Sequence, residues 1–266
     1  MSILISNSAD AAHYLKQNQS NLQKSLKRLS SGKKITGGAD DPGGLAVAMK
    51  INASIKRLAG SENNVQNTLS FLEVQDGLLE TAGNIVTRIS ELKGLHSDDP
   101  LKSPTNQASY DAELVTLAAQ LTDIAGMTFN SEALFGTDVI PLNFDEDTDA
   151  DITIAGSDLA TAVTSLTSAT TFGGTGGLDV ATIDTALENV AGLRAANGSA
   201  QNRLQFTAQS LSLQRINMVA ALSRIEDVDL AAETAELAKH SIMTQASAAM
   251  VAQANSQNDI ALMLLS

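Results

Sequence analysis

Both ends of this chain carry long apolar seams at helical spacing, and neither end has enough flanking sequence to bury them. Leu15, Leu22 and Leu29 recur every seven residues near the start, with Ala12 and Leu26 alongside. Near the end, three adjacent heptad columns are largely apolar. They are Leu230, Leu237, Val251 and Leu265; Ala235, Ile242, Ala249 and Met263; and Met243, Met250 and Leu264. A helix apolar around so much of its circumference is normally buried on several sides. Chain ends are more often loose and polar. These ends are built to meet partners.

The interior repeats the theme. Asp41 followed by Pro42 reads as an N-cap and first helical residue. From there Ile51, Leu58, Val65, Leu72, Leu79 and Val86 keep the seven-residue interval up to about His96, where Ser97-Asp98-Asp99-Pro100 stops it. Such a helix spans roughly 75–80 Å at 1.5 Å per residue, a length that suits a rod. A second helix follows Pro104, with Tyr110, Leu114, Leu117, Leu121 and Ile124 on one side. A third begins near Ala181 and carries Ile183, Val190, Asn197, Leu204, Leu211, Met218 and Ile225, a heptad column with a single polar member. Asn197 either pins the register or, as its neighbour Gly198 favours, marks a local break.

Between Phe135 and Val180 the periodicity vanishes. Val139–Phe144 and Ile152–Ile154 read as short strands around an acidic turn. The Ser/Thr/Ala/Gly stretch from Ala160 to Gly177 reads as surface. The expected fold is mainly α: an antiparallel, coiled-coil-like helical rod with paired terminal helices and a small β-hairpin insert.

Composition removes most chemistries. Cysteine is absent, which excludes disulfides, thiol catalysis and Cys-ligated zinc. Aromatics make up 3%, thin material for a globular core but adequate for aliphatic helix seams. The net charge of -13 opposes nucleic-acid binding, which depends on Lys and Arg at phosphates. The charge is also uneven. Residues 1–60 hold nine Lys or Arg against three acids, whereas between Lys102 and Arg194 there are fourteen acids and no basic residue. Attraction between parts of the chain, or between copies, follows from that split. No stretch approaches the roughly 18 apolar residues of a membrane span. The first residues lack the basic and apolar segments of a cleavable secretory signal.

Candidate sites fail on spacing. Asp145, Asp147, Asp149 and Asp151 alternate like a calcium loop, but Ala150 and Gly156 stand where the EF-hand needs Gly and Glu. Ser31-Gly32-Lys33-Lys34 lacks the earlier Gly and the following Ser or Thr of a phosphate loop. The glycine run from Gly173 to Gly177 follows no clear strand. His13, His96 and His240 are scattered. No cofactor, no metal site and no enzyme activity are expected.

Two segments carry a resemblance. The first is Leu26-Lys27-Arg28-Leu29-Ser30-Ser31-Gly32-Lys33-Lys34-Ile35, continuing Ala39-Asp40-Asp41-Pro42-Gly43-Gly44-Leu45-Ala46-Val47. The second is Ser223-Arg224-Ile225-Glu226-Asp227-Val228-Asp229, followed by Gln245-Ala246, Ala252-Gln253-Ala254-Asn255 and Leu262-Met263-Leu264-Leu265-Ser266. Together they resemble bacterial flagellin over about residues 1–135 and 180–266. Phe129-Asn130-Ser131 and Ala200–Leu204 fit the same pattern.

The resemblance implies residues 1–40 plus 232–266 as a terminal polymerisation domain, 41–135 plus 180–231 as a helical rod and 136–179 as a short surface insert. It implies a homopolymer: an extracellular flagellar filament for motility, exported by the flagellar type III apparatus without a cleaved signal. Its implied partners are an export chaperone at the C-terminal helix near 232–266, the filament cap and hook junction proteins. The expected polymerisation core is Leu15, Leu22, Leu26, Leu29, Leu237, Ile242, Met243, Met250, Val251, Leu264 and Leu265. Rod packing falls to Ile51, Leu58, Val65, Leu72, Leu79, Val86, Leu114, Leu117, Leu121, Ile183, Val190, Leu204, Leu211, Met218 and Ile225. Short isolated helices are marginal in water, so the ends should order when copies join. The polar Gln253, Asn255, Gln257 and Asn258 are candidates to line a wet channel. Thr87-Arg88-Ile89-Ser90-Glu91-Leu92 departs from the family's Gln-Arg-x-Arg-Glu-Leu, so innate-immune recognition is not carried over to Arg88. A hook–filament junction protein, or a secreted type III adhesin or translocon component, are the alternatives.

Overall fold

Asp41, Ser103, Asp158 and Asp229 each stand just before a helix and cap it. Gly44 N–H donates to Asp41 Oδ1 at 2.9 Å and Asn106 N–H to Ser103 Oγ at 3.2 Å. Thr161 N–H donates to Asp158 Oδ1 at 3.0 Å and Ala231 N–H to Asp229 Oδ1 at 2.9 Å. Each bond satisfies an amide that the first helical turn leaves without a partner. The structure, a computed structural model, describes the backbone of residues 2–98, 103–142, 152–173 and 177–265. Its side chains are described from 9 to 97, 103 to 142, 152 to 173 and 177 to 257.

The elements are α1 (Ser2–Ser31), α2 (Pro42–Asp98), α3 (Pro104–Ala125), β1 (Thr128–Phe129), β2 (Glu132–Ala133), β3 (Ile140–Leu142), β4 (Ile152–Ile154), α4 (Leu159–Thr167), α5 (Val180–Glu226) and α6 (Leu230–Leu265). They form two compact units, Met1–Lys56 with Ile216–Ser266, and Arg57–Arg215. The mainly helical fold expected from the heptads is what forms. The acidic turn Asp145–Asp151 and the helix stop at Asp99-Pro100 lie outside the described residues.

In the unit of Arg57–Arg215, α2 and α5 run antiparallel: Glu62 pairs with Arg215 at 3.1 Å, and Asp76 and Glu80 with Arg194 at 3.2 and 3.1 Å. Leu79, Val86, Ile89 and Leu92 of α2 pack with Leu114 and Leu121 of α3 and with Ile183 and Val190 of α5. Two antiparallel hairpins follow α3, pairing β1 with β2 and β3 with β4. Asn130 and Ser131 take φ of 51° and 69°, the left-handed pair that a two-residue hairpin loop requires. A side chain at Gly156 would collide with the carbonyl of Gly136, so only glycine fits that crossing.

Two expectations need correction. The stretch beginning at Ala160 is not simply surface: it belongs to α4, whose Leu159, Val163 and Leu166 are fully buried, and Phe172 and Leu178 beyond it join the same core. The break at Asn197-Gly198 does not occur, because α5 passes through without interruption. Asn197 is 4% exposed, and its amide donates to the Leu72 carbonyl at 3.2 Å and to Gln75 Oε1 at 2.6 Å. Gln75 in turn donates to the Leu134 carbonyl, and Gln201 to Asn197 Oδ1 at 2.6 Å. A buried amide satisfied across two helices fixes their register, because a slip would strand every member of the network.

Candidate functional site

In the unit of Met1–Lys56 with Ile216–Ser266, α1 and α6 lie antiparallel: Asn18 Nδ2 donates to Ser247 Oγ at 2.8 Å and Arg28 meets Glu233 at 3.7 Å. Heptad spacing selects the facing side chains. On α1 these are Ala11, Leu15, Asn18, Leu22, Ser25 and Leu29; on α6 they are Leu237, His240, Thr244, Ser247 and Val251. The seam alternates apolar with polar or small residues. Its most buried members are serines, Ser25 at 4% and Ser247 at 2% exposure, whereas Leu15, Leu22, Leu29, Leu237 and Val251 are only half-buried. Arg28 Nε and His240 Nδ1 are enclosed with no partner among the described residues. Two helices meeting through this seam leave its leucines and Val251 only partly covered.

The other expected core residues point elsewhere. Leu26 is 51% exposed, Ile242 67%, Met243 44% and Met250 54%. At about 100° per residue, Ile242 sits nearly opposite the seam of α6, and the two methionines share one side of the helix between them. The side chains of Leu264 and Leu265 lie outside the described residues. The apolar pattern groups all eleven positions; the structure divides the described ones into a seam set and an outer set. Asn18, Ser25, Thr244 and Ser247 escape an apolar count, although their heptad positions between the leucines are a usable signal.

The segments entering and leaving this pair are tied together. Gly32, at φ 70°, ends α1 in the left-handed turn, and its carbonyl accepts from Val228 N–H at 3.0 Å. Lys33 bridges to Asp227 through the backbone, and its ammonium meets Glu226 at 2.7 Å. Asp40 accepts from the Lys24 ammonium and from the amide and hydroxyl of Thr36. Those bonds, Lys24 first, hold its carboxyl far below the usual carboxylate range.

The residues assigned to rod packing lie as follows. Leu58, Val65, Leu72, Leu79, Val86, Leu114, Leu121, Ile183, Val190, Leu204 and Leu211 are buried and Leu117 is half-buried, all within Arg57–Arg215. Ile51, Met218 and Ile225 are half-buried and belong to the unit of the chain ends. Among the described residues there is no group of three side chains suited to hold a metal ion, and no helix long and apolar enough to cross a membrane.

The pattern described as bacterial flagellin N-terminal helical region matches residues 5–138, and the bacterial flagellin C-terminal helical region matches residues 180–265. Similar proteins include the flagellar filament 30.7 kDa core protein of Treponema maltophilum, 32% identical and covering 94% of each chain. Flagellin of Halalkalibacterium halodurans is 33% identical over 91% of each chain. Flagellin of Bacillus subtilis is 30% identical over 94% of this chain and 95% of its own.

Proposed function

This chain belongs to the bacterial flagellin family, the structural subunits of the flagellar filament, and we propose that α1 and α6 are the elements through which its copies polymerise. One observation carries the reading: the α1/α6 pair leaves its seam leucines half-buried and turns Leu26, Ile242, Met243 and Met250 outward. A pair that exposes that much apolar surface is stabilised by neighbours bearing the same surface. The ends therefore order as they enter the polymer, and residues 1–40 with 232–266 form the filament core. The helices of 41–135 and 180–231 form the rod, and α4 and Phe172 of segment 136–179 pack into its core.

The role is structural rather than catalytic. The polymer lies outside the cell, and the chain reaches it by type III export. Before export, the apolar outer face of α6 is the docking site for a chaperone; afterwards the filament cap and hook junction proteins bound the polymer. Gln253 and Gln257, exposed one turn apart on α6, face a wet channel.

Purified chain seeded with filament fragments tests the reading by negative-stain electron microscopy. Long smooth filaments are expected from the full chain. A chain lacking residues 230–266 should stay helical by circular dichroism and grow none; filaments from that truncation would contradict the assignment.

A further inference from the structure

The unit of Arg57–Arg215 carries an apolar knob and an apolar hole that do not meet. Phe206 on α5 is 72% exposed, the highest value of any described large apolar side chain. It stands two residues after Leu204 and five before Leu211, both buried, so at about 100° per residue it points away from the core. Between α2 and the hairpins lies a pocket of about 440 Å³ walled by Phe71, Leu72, Phe129, Leu134, Ile140 and Ile154. An apolar cavity of about 150 Å³ is enough for a benzene ring.

We propose that Phe206 of one copy seats in this pocket of a neighbouring copy, with Arg203 facing the pocket's acidic rim. The proposal rests on the reading that the chain polymerises, and it names a second contact away from α1 and α6. Charge commits the occupant. Glu132 and Asp138, both exposed, line the mouth of the pocket. Arg203, also exposed, lies one helical turn before Phe206 on the same side of α5. The unit holds seven Lys or Arg against twenty-one acids. Arg194 and Arg215 are engaged with Asp76, Glu80 and Glu62, whereas Arg203 has no acidic partner among the described residues. An aromatic knob with an adjacent cation thus matches an apolar pocket with adjacent carboxylates. A knob and a hole on different faces of one subunit make a head-to-tail contact, the kind that propagates into an open helical polymer.

The chain has no cysteine, so engineered thiols report without background. Phe206→Cys and Ala133→Cys chains, the latter placed on the pocket wall, are copolymerised and mildly oxidised beside wild-type chain. The expected result is a disulfide-linked dimer from the mixture and none from either variant polymerised alone. Filaments that form without a mixed dimer, or a dimer from Phe206→Cys alone, overturn the proposal. If wild-type chain itself grows no filament, the polymerisation reading fails and this contact falls with it.

Phe206→Ala should raise the critical concentration about tenfold or more, the factor for one well-seated aromatic anchor, with monomer helicity unchanged. An unchanged critical concentration, as expected if the pocket takes a small amphipathic molecule instead, also overturns it. Arg203→Glu should weaken assembly, and a partner carrying Glu132→Lys and Asp138→Lys should restore it; absence of rescue counts against the charge pairing.

Discussion

Truncating Ile242 to alanine should weaken the polymer while leaving the solitary chain as it was. Ile242 is 67% exposed, so about two-thirds of its surface remains to be covered when a neighbour arrives. Full burial of an isoleucine contributes about 1.5–3 kcal/mol, which scales here to about 1–2 kcal/mol per subunit added. That corresponds to a rise of roughly 5–30-fold in the critical concentration. The assay is seeded growth followed by sedimentation, with the free chain measured at plateau. Lys239→Ala is the control: it lies one turn away on the same helix and is exposed, and its ion pair with Glu236 at 3.3 Å is a solvated one worth little. It should shift the critical concentration less than twofold, on the order expected for such a pair. Monomer circular dichroism should be the same for Ile242→Ala, Lys239→Ala and wild type. An unchanged critical concentration for Ile242→Ala, or a loss of monomer helicity that accounts for the effect, would refute the argument that this face waits for a neighbour.

Three further outcomes follow from the packing. Ile183→Asp places an unpaired carboxylate where the native side chain is 1% exposed; a loss of about 4 kcal/mol or more should abolish the cooperative thermal transition of its unit. Asn197→Ala leaves Gln75 Oε1 without its donor and takes from Gln201 its Asn197 acceptor, and should lower stability by about 1–3 kcal/mol, read as a drop of several degrees in Tm. Asp40 is held ionised by Lys24 and Thr36, so its contribution is complete above the ordinary Asp range near about 3.9 and fades as pH falls below it. Filaments of Asp40→Asn should dissociate more readily at neutral pH and show a shallower dependence on acid below about pH 4 in light scattering.

Helix existence is plain in the sequence because heptads survive over long stretches: Leu58, Val65, Leu72, Leu79 and Val86 announce α2, and Leu204 and Leu211 continue the column of Ile183 and Val190 on α5. What α4 contributes is hidden by composition. Leu159, Val163 and Leu166 behind the Asp158 cap have helical spacing, but nine residues among serines, threonines and glycines give too short a period to stand out. Asn197 misleads for a different reason. A polar residue in a seam is a defect or a pin depending on what faces it, and Gln75 lies more than a hundred residues away in sequence. The same limit applies at the chain ends. Leu22 and Ile242 look alike in an apolar count; only the geometry of α1 against α6 separates the half-buried seam from the outward stripe. The knob at Phe206 is equally invisible, since one exposed aromatic gains meaning only beside a pocket assembled from α2 and the hairpins.

Amide hydrogen exchange of the dilute chain, set against the same chain in filaments, tests the central claim most directly. Peptides from residues 9–31 and 230–257 should exchange almost as fast as unstructured chain when the molecule is alone and become strongly protected in the polymer, while peptides from α3 stay protected in both. Protection of α1 and α6 already present in the dilute chain would mean that the pair stands without neighbours, and that assembly is not what orders the chain ends.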